Sequence, residues 1–245
     1  MSDFQPTRWS VVMRAGQPAD QRSDEAAEAL QALCQAYWYP AYAYARRCGK
    51  SREDAEDMTQ AFFAEQFQKS CLSKADPARG RFRSYFLGSF KFFMFNAHRK
   101  KKAAKRGSQF EHLSLDFQSG EERFEKSLPA APSPDEGFVQ DWCENVMELA
   151  LKRLEDEYAA EENAVPFAVL KAHLPGGAHS EKVTYKHIAE EYGLSESAVK
   201  MRVLRKKERY RELLRFEVAQ TLDEVAEVDE ELGELLDAWV KAGAK

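Results

Sequence analysis

Two runs of basic side chains stand out in this sequence, because clustered cations can bind phosphate-bearing polymers. Residues 99–106 contain six bases and no acid, and residues 200–211 contain seven bases and one acid. The chain as a whole has a formal net charge of -5, and residues 217–237 contain nine acids and no base. Salt limits the reach of each charge to roughly 8 Å, so local basic runs can bind a polyanion within a globally acidic protein.

Patterns typical of catalysis or metal binding are missing from the sequence. The four cysteines are dispersed, without the spacing of zinc ligands or of a disulfide framework, and they indicate reduced thiols in the cytoplasm. A nuclease that uses Glu53, Asp54, Glu56 and His98 is the weakest hypothesis, because successive positions of a helix point in different directions. We therefore expect no catalytic residue, no metal and no cofactor, and we expect that the chain is not an enzyme.

The N-terminus lacks the charged and apolar regions of a signal peptide, and no apolar run approaches the roughly 20 residues of a membrane span. A cytoplasmic location without membrane insertion is the expectation.

Composition and periodicity predict an all-α fold. A first helix is expected to begin near Ser23, with a break or kink at Pro40, and a second to run from residue 52 to about 69 after a cap at Ser51. A third should extend from Phe82 to about residue 105. Residues 107–137 lack helical periodicity and are rich in glycine, proline and acids, which is typical of a flexible linker. A second helical block should begin near residue 138, so the sequence predicts two helical domains joined by an acidic linker.

The sharpest pattern lies in residues 184–207 and predicts a helix, a turn and a second helix. Gly193 can adopt the positive φ that ends the first helix, and Ser195 can cap the second. Val199 and Val203, four positions apart, should face inward. The side chains left to face outward are those of Ser197, Lys200, Met201, Leu204 and Arg205. Such a helix can enter the major groove of DNA, whereas a helical hairpin with a solvated basic face is the simpler alternative.

Residues 79–102 alternate aromatic and basic side chains. Exposed aromatic rings stack on unpaired bases at roughly 1–3 kcal/mol each, and neighbouring cations hold the nucleic-acid backbone. The phenylalanines at helical spacing, Phe82, Phe86, Phe90 and Phe93, are expected to be core residues instead. Exposed contacts are expected at Arg79, Arg81, Arg83, Tyr85, Lys91, Asn96, Arg99 and Lys100.

The segment Asp54-Ala-Glu-Asp-Met-Thr-Gln-Ala-Phe-Phe predicts an amphipathic helix whose outer face carries acids and glutamine. Such a face suits docking of another protein. A solvated helix without a partner is an equally simple interpretation.

Taken in order, these three segments resemble an extracytoplasmic-function (ECF) sigma factor of bacterial RNA polymerase, a member of the sigma-seventy superfamily. The resemblance covers most of the chain. It implies region 2 at residues 24–108, which docks on core polymerase and holds the minus-ten element. It also implies region 4 at residues 138–216, whose helix-turn-helix reads the minus-thirty-five element. An N-terminal segment (1–23), a linker (109–137) and an additional acidic C-terminal helix (217–245) complete the expected organisation.

The resemblance also implies a role for each candidate site residue. Docking on the clamp helices of the polymerase is assigned by position to Asp54, Asp57, Gln60 and Phe63. The exposed contacts expected in residues 79–100 are assigned to the unpaired minus-ten strand. Contacts with the minus-thirty-five element are assigned to Tyr185, Lys186, Ser197, Lys200, Met201, Leu204 and Arg205.

The function implied is promoter recognition and transcription initiation without a catalytic group. The partners expected are core RNA polymerase and promoter DNA, with an anti-sigma or other regulatory protein as a further candidate. Three positions depart from the family pattern: Tyr85 stands where a tryptophan is frequent, and Phe92 and Asn96 stand where an Asn-x-x-x-Asp pattern is common. The chief alternative is a stand-alone helix-turn-helix transcriptional regulator, which explains residues 184–211 but leaves residues 52–105 without a task.

Residues 217–245 form an addition to the family pattern. Their apolar residues recur at mostly helical spacing beside nine acids. A helix that packs back on region 4 is the favoured interpretation, because apolar stripes usually face a core. The alternatives are autoinhibition, in which the acidic helix covers the basic recognition helix, and docking of a regulatory partner.

Overall fold

The structure, a computed structural model, describes residues 23–68, 81–100, 115–127, 133–161, 165–177, 183–219 and 225–241. In these ranges the fold is all-α and contains no strand, which confirms the predicted fold class. The helices follow one another as α1 (Asp24–Arg47), α2 (Arg52–Gln68), α3 (Phe82–Lys100), α4 (Phe117–Ser127), α5 (Pro134–Ala159), α6 (Phe167–Lys171), α7 (Tyr185–Glu191), α8 (Glu196–Ala219) and α9 (Val225–Lys241). None of these helices combines the length and the apolar character that a bilayer-spanning segment requires.

Some predicted features lie outside the described residues. They are the segment 1–22, Cys71, Arg79 and the basic residues 101–106. The cysteines within the described ranges, Cys34, Cys48 and Cys143, are thiols and form no disulfide. Burial raises the pKa of Cys34 to about 12, so this thiol stays protonated at neutral pH.

The described chain divides into two compact units. Unit 1 comprises Met1–Trp142 and Ala219–Val228, and unit 2 comprises Cys143–Val218 and Asp229–Lys245. Each unit has its own buried apolar side chains.

An aromatic core holds unit 1 together. The ring of Tyr37 in α1 lies 5.4 Å from Phe82 and 4.6 Å from Phe86 of α3, measured between ring centroids. Phe62 of α2 contacts Phe86 and Phe90 at 5.3 and 5.0 Å. Aromatic pairs at these distances contribute about 0.5–1.5 kcal/mol beyond the burial of their area. Burial of Phe82, Phe86 and Phe90 confirms their prediction as core residues.

Of the break or kink predicted at Pro40, the break is absent, because α1 continues through this residue to Arg47. A proline inside a helix removes one backbone hydrogen bond and costs about 3 kcal/mol or more. Its neighbours Tyr39, Ala41 and Tyr42 are all buried in unit 1. Burial of two tyrosine rings beside the proline offsets that cost, so packing decides the conformation against the local preference.

The prediction that residues 109–137 contain no helix is wrong for α4. Phe117 and Phe124 of this helix are buried, and the ring of Phe117 lies 5.6 Å from Trp38 and 5.5 Å from Tyr42. These two phenylalanines, two helical turns apart, are the apolar side chains of α4. Two positions are too few for a helical period to be recognised in the sequence. Helix α4 therefore packs on α1 as a part of unit 1.

The helix α5 begins at Pro134, ahead of the predicted start near residue 138. Ser133 caps it: the Ser133 hydroxyl accepts a hydrogen bond from the Glu136 backbone N–H at 3.2 Å and donates to the Glu136 carboxylate at 2.7 Å. This reciprocal pair satisfies a backbone donor at the helix start, and proline at the first helical position costs no hydrogen bond.

In unit 2, two buried phenols bond to backbone carbonyls. The Tyr158 hydroxyl donates to the carbonyl of Val165 at 2.6 Å, and the Tyr210 hydroxyl donates to that of Met147 at 3.3 Å. Tyr158 lies near the end of the long helix α5, so its bond joins α5 to the chain that leads into α6. The bond from Tyr210 joins α8 to α5.

Candidate nucleic-acid interface

The turn between α7 and α8 in unit 2 has the chemistry that the sequence predicts. Gly193 has φ of +64° and follows the end of α7. The backbone N–H of Leu194 donates to the carbonyl of Ala189 at 2.9 Å and closes the turn. The Ser195 hydroxyl accepts from the backbone N–H of Ala198 at 3.2 Å, which caps α8. A helix, a tight turn and a helix therefore form at residues 185–219.

The inward face of this motif is apolar and buried. Ile188 and Ala189 of α7 and Val199 and Val203 of α8 are all buried, which confirms the predicted inward positions. Because a helix repeats every 3.6 residues, burying positions 199 and 203 turns positions 197, 200, 201, 204 and 205 outward.

All of the predicted outward residues of α8 are exposed. Met201 and Leu204 are 48% and 46% exposed, which is high for apolar side chains. Exposed polar and charged groups flank them at Ser197, Lys200 and Arg205. On α7, Lys186 is exposed and Tyr185 is half-buried, with its ring 4.8 Å from that of His173.

The basic residues of α8 fall into two classes. Lys206 and Arg209 pair with acids of unit 2: Lys206 lies 3.2 Å from Glu161, and Arg209 makes two bonds of 2.7 and 2.9 Å to Glu157. Hydrogen bonding from Arg209 outweighs partial burial and holds the pKa of Glu157 below its ordinary value. Within the described residues Lys200 has no ion-pair partner. The same holds for Arg205, so the outward cations of the N-terminal half remain available to a phosphate backbone.

Helix α3 of unit 1 carries two exposed phenylalanines that the sequence prediction missed. Phe92 and Phe95 are 71% and 70% exposed, although they lie in an aromatic run whose other members face the core. The backbone carbonyl of Phe92 accepts a hydrogen bond from the Asn96 amide at 3.0 Å. The run Phe90 to Phe95 has more aromatics than one helical face can bury, and helical spacing from Phe86 and Phe90 could have identified the surplus.

The predicted minus-ten contacts on α3 differ in their surroundings. Arg83 is half-buried, with its guanidinium 5.4 Å from the ring of Trp142, and Tyr85 is half-buried with its ring 6.0 Å from that of Phe82. The carbonyl of Arg81 accepts the backbone bonds that start the helix. Arg83 and Tyr85 are thus part of unit 1's packing as well as candidates for contact. The side chains of Arg99 and Lys100 are not among those described.

Lys91 is bound to an acid of its own unit. Its ammonium lies 2.5 Å from Asp135 and 5.8 Å from the centre of the Tyr44 ring. The Tyr44 hydroxyl donates to the same carboxylate at 3.3 Å. The Lys91 ammonium therefore already has a carboxylate partner in unit 1.

The outer face of α2 holds three of the four predicted docking residues. Asp57 is exposed, and Asp54 and Gln60 are half-buried. The predicted contact at Phe63 is wrong as a surface contact, because this ring is 2% exposed and lies 5.7 Å from Phe86 in the core. Phe63 lies four positions after the buried Thr59 and next to the buried Phe62, so it belongs to the buried face of α2, at the border with the polar face.

The acids of α2 are not grouped with other metal-ligating side chains. Glu56 pairs with Arg52 at 2.8 Å, and the backbone N–H of Asp54 donates to the Ser51 hydroxyl at 3.1 Å, which confirms the predicted cap. Among the residues that the structure describes, no three histidine, cysteine or acidic side chains could hold a metal ion together. The side chain of His98 is not among those described.

Comparison with protein-family models, with curated proteins and with solved structures finds no match to this chain.

Proposed function

We propose that this chain is an alternative sigma factor of the extracytoplasmic-function type, which binds core RNA polymerase and directs it to promoters. The observation that carries the proposal is the outward face of α8, where exposed Lys200, Met201, Leu204 and Arg205 follow a tight turn at Gly193. A helix held in this way can lie in the major groove, with its N-terminal half toward base edges and its cations toward phosphates.

The exposed rings of α3 support a second contact, with unpaired promoter DNA. Phe92 and Phe95 offer flat apolar surfaces that can stack on bases, and Lys91, which is paired with Asp135, precedes them in the helix. Opening of a promoter exposes bases, so a stacking surface would stabilise the opened state over the duplex. This capture needs no catalytic group, and nucleotide addition would belong to the polymerase.

The acidic outer face of α2 supports docking on core polymerase in the cytoplasm. Asp54, Asp57 and Gln60 remain accessible on that face and are the proposed contacts. Phe63 would act indirectly, because its buried ring fixes the orientation of α2 within unit 1.

In vitro transcription tests the proposal. The purified chain, added to core RNA polymerase and genomic DNA, should produce transcripts with defined start sites that core polymerase alone does not make. It should also co-purify with core polymerase. Duplex binding without co-purification and without transcription would favour a stand-alone helix-turn-helix regulator, and the absence of both would overturn either function.

A pair of variants tests the recognition helix. Replacing Lys200 and Arg205 with alanine should weaken promoter binding by roughly 1–3 kcal/mol for each residue that contacts a base. The matched control replaces the exposed Lys126 and Lys152 with alanine, which removes the same charge from other helices. Equal loss in both double variants would indicate a general charge effect, and full transcription from the Lys200 and Arg205 variant would contradict the assignment.

A further inference from the structure

Two half-exposed apolar side chains interrupt the polar surface of α8. Met201 and Leu204 are three positions apart and lie between the cations Lys200 and Arg205. Neither side chain is needed for the buried face, which Val199 and Val203 fill. Covering this apolar surface with a ligand is favourable, and a ligand that covers it between two cations should be anionic overall and locally apolar.

We propose that Met201 and Leu204 read the methyl groups of thymine in the major groove and so determine the base preference of this helix. The inference rests on the proposed function. Duplex DNA has the required character: its phosphates match the flanking cations, and the thymine methyl is the apolar group that its major groove presents. A partner protein with an acidic, apolar surface is the alternative occupant, and substitution of the thymine bases separates the two.

The spacing of the two side chains fits neighbouring bases. Residues three apart in a helix rise about 4.5 Å along its axis, and successive bases of one strand rise about 3.4 Å. Met201 and Leu204 can therefore contact adjacent base pairs while Ser197, Lys200 and Arg205 provide hydrogen-bond donors on either side. We therefore expect the target site to contain at least one thymine in the two adjacent base pairs that Met201 and Leu204 contact.

Deoxyuridine provides the sharp test, because it differs from thymidine only by the methyl group and keeps every base-pairing and groove hydrogen-bond group. Duplexes that bind the full chain with core RNA polymerase are first selected from a random duplex pool. Each selected duplex is then made with deoxyuridine at single thymine positions. We expect roughly fourfold weaker binding for each methyl group that is lost from a contacted position.

Variants assign the effect to the two side chains. The M201A/L204A variant should bind thymidine and deoxyuridine duplexes equally, while its salt dependence stays that of the unaltered protein. The E208A variant, which changes an exposed side chain of α8 that has no assigned DNA contact, should keep the discrimination of the unaltered chain.

Three results would overturn the inference in distinguishable ways. Selected duplexes that bind equally with either base would overturn the methyl reading alone. Discrimination that persists in M201A/L204A would assign the reading to other residues. Failure to select any duplex would count against the proposed function and remove the basis of the inference with it.

Discussion

Arg46 donates two hydrogen bonds to the carboxylate of Glu121, from Nε to Oε2 at 3.1 Å and from Nη2 to Oε1 at 2.7 Å. The Tyr42 hydroxyl donates to Oε2 of the same carboxylate. These bonds join α1 to α4 in unit 1. A bidentate arginine–carboxylate pair fixes direction as well as distance, so it determines where α4 packs on α1.

Replacing Glu121 with glutamine should loosen α4. The substitution removes the charge that Arg46 and Tyr42 share, and hydrogen bonds to charged groups stabilise by roughly 1.5–3 kcal/mol. Amide hydrogen exchange in residues 117–127 should accelerate by the factor that corresponds to this loss of free energy. The matched control is Glu122→Gln, because Glu122 is the next residue and is exposed. Equal exchange in the two variants would show that the Arg46 contact does not hold the helix.

The contribution of Glu121 should depend on pH. Burial opposes its charged form, but hydrogen bonds from Tyr42 and Arg46 outweigh burial and hold the pKa below its ordinary value. A carboxylate with a lowered pKa stabilises the fold above the ordinary glutamate pKa of about 4.3, and this stability is lost as the pH falls through the folded value. The difference in free energy of unfolding between the unaltered chain and Glu121→Gln should be constant near neutrality and shrink below about pH 4.

Urea denaturation at a series of pH values measures that difference. The corresponding difference for Glu122→Gln should vary little over the same range. A Glu121 difference that is unchanged at the lowest pH would mean that the carboxylate charge is not what stabilises α4.

Removing the charge of Asp135 should strengthen binding of single-stranded oligonucleotides. Asp135→Asn releases Lys91, and exposed ion pairs of this kind contribute about 0.2–1 kcal/mol, so a gain of roughly 1.5- to 5-fold is expected. One added phosphate contact should also steepen the dependence of log affinity on log salt by about 0.7. Glu125→Gln, at an exposed position of α4, changes the net charge equally. Fluorescence anisotropy compares the two, and identical titrations would show that Lys91 makes no phosphate contact.

Two glycine substitutions should change stability in opposite directions. A Cβ at Gly193 or at Gly88 would meet no atom within 4 Å, so neither alanine causes a steric clash with its surroundings. Gly193 has φ of +64°, where an alanine costs about 1–2 kcal/mol. Gly88 lies within α3, where alanine should stabilise by roughly 0.5–1 kcal/mol. Urea titration of Gly193→Ala and Gly88→Ala checks the signs, and stabilisation by both would contradict the turn geometry.

Removal of the acidic C-terminal helix should leave duplex binding unchanged. Lys200 and Arg205 are exposed while α9 is present, and Asp229 of α9 pairs with Arg215 at 2.8 Å, near the end of α8. A chain that ends after Gln220 keeps the buried Val218 and tests this directly. Tighter binding of DNA by the shortened chain would support the autoinhibition hypothesis instead.

Local chemistry makes the helix-turn-helix predictable from sequence. Gly193 and Ser195 act on their own backbone neighbours, and the spacing of Val199 and Val203 assigns the inner face of α8 without knowledge of what packs against it. Turns and caps depend on residues only a few positions away, so the amino-acid order alone is enough to derive these features.

Contacts between distant segments account for the features that the sequence prediction missed. Phe92 and Phe95 have the same side chain as the buried Phe86 and Phe90. Helical spacing places the two pairs on different faces of α3, and the packing of α1 and α2 decides which face is covered. Burial of Phe63 has the same origin.

The charged side chains of α8 also divide into what the sequence predicts and what the fold decides. The amino-acid order makes α8 basic, but Lys206 and Arg209 bind acids of unit 2 more than forty positions earlier, whereas Lys200 and Arg205 face outward. Sequence periodicity assigns a residue to a helical face, and the packing of the helices decides what that face meets. Burial and ion pairing depend on the neighbours that the fold brings within a few ångströms, and those neighbours come from distant parts of the chain.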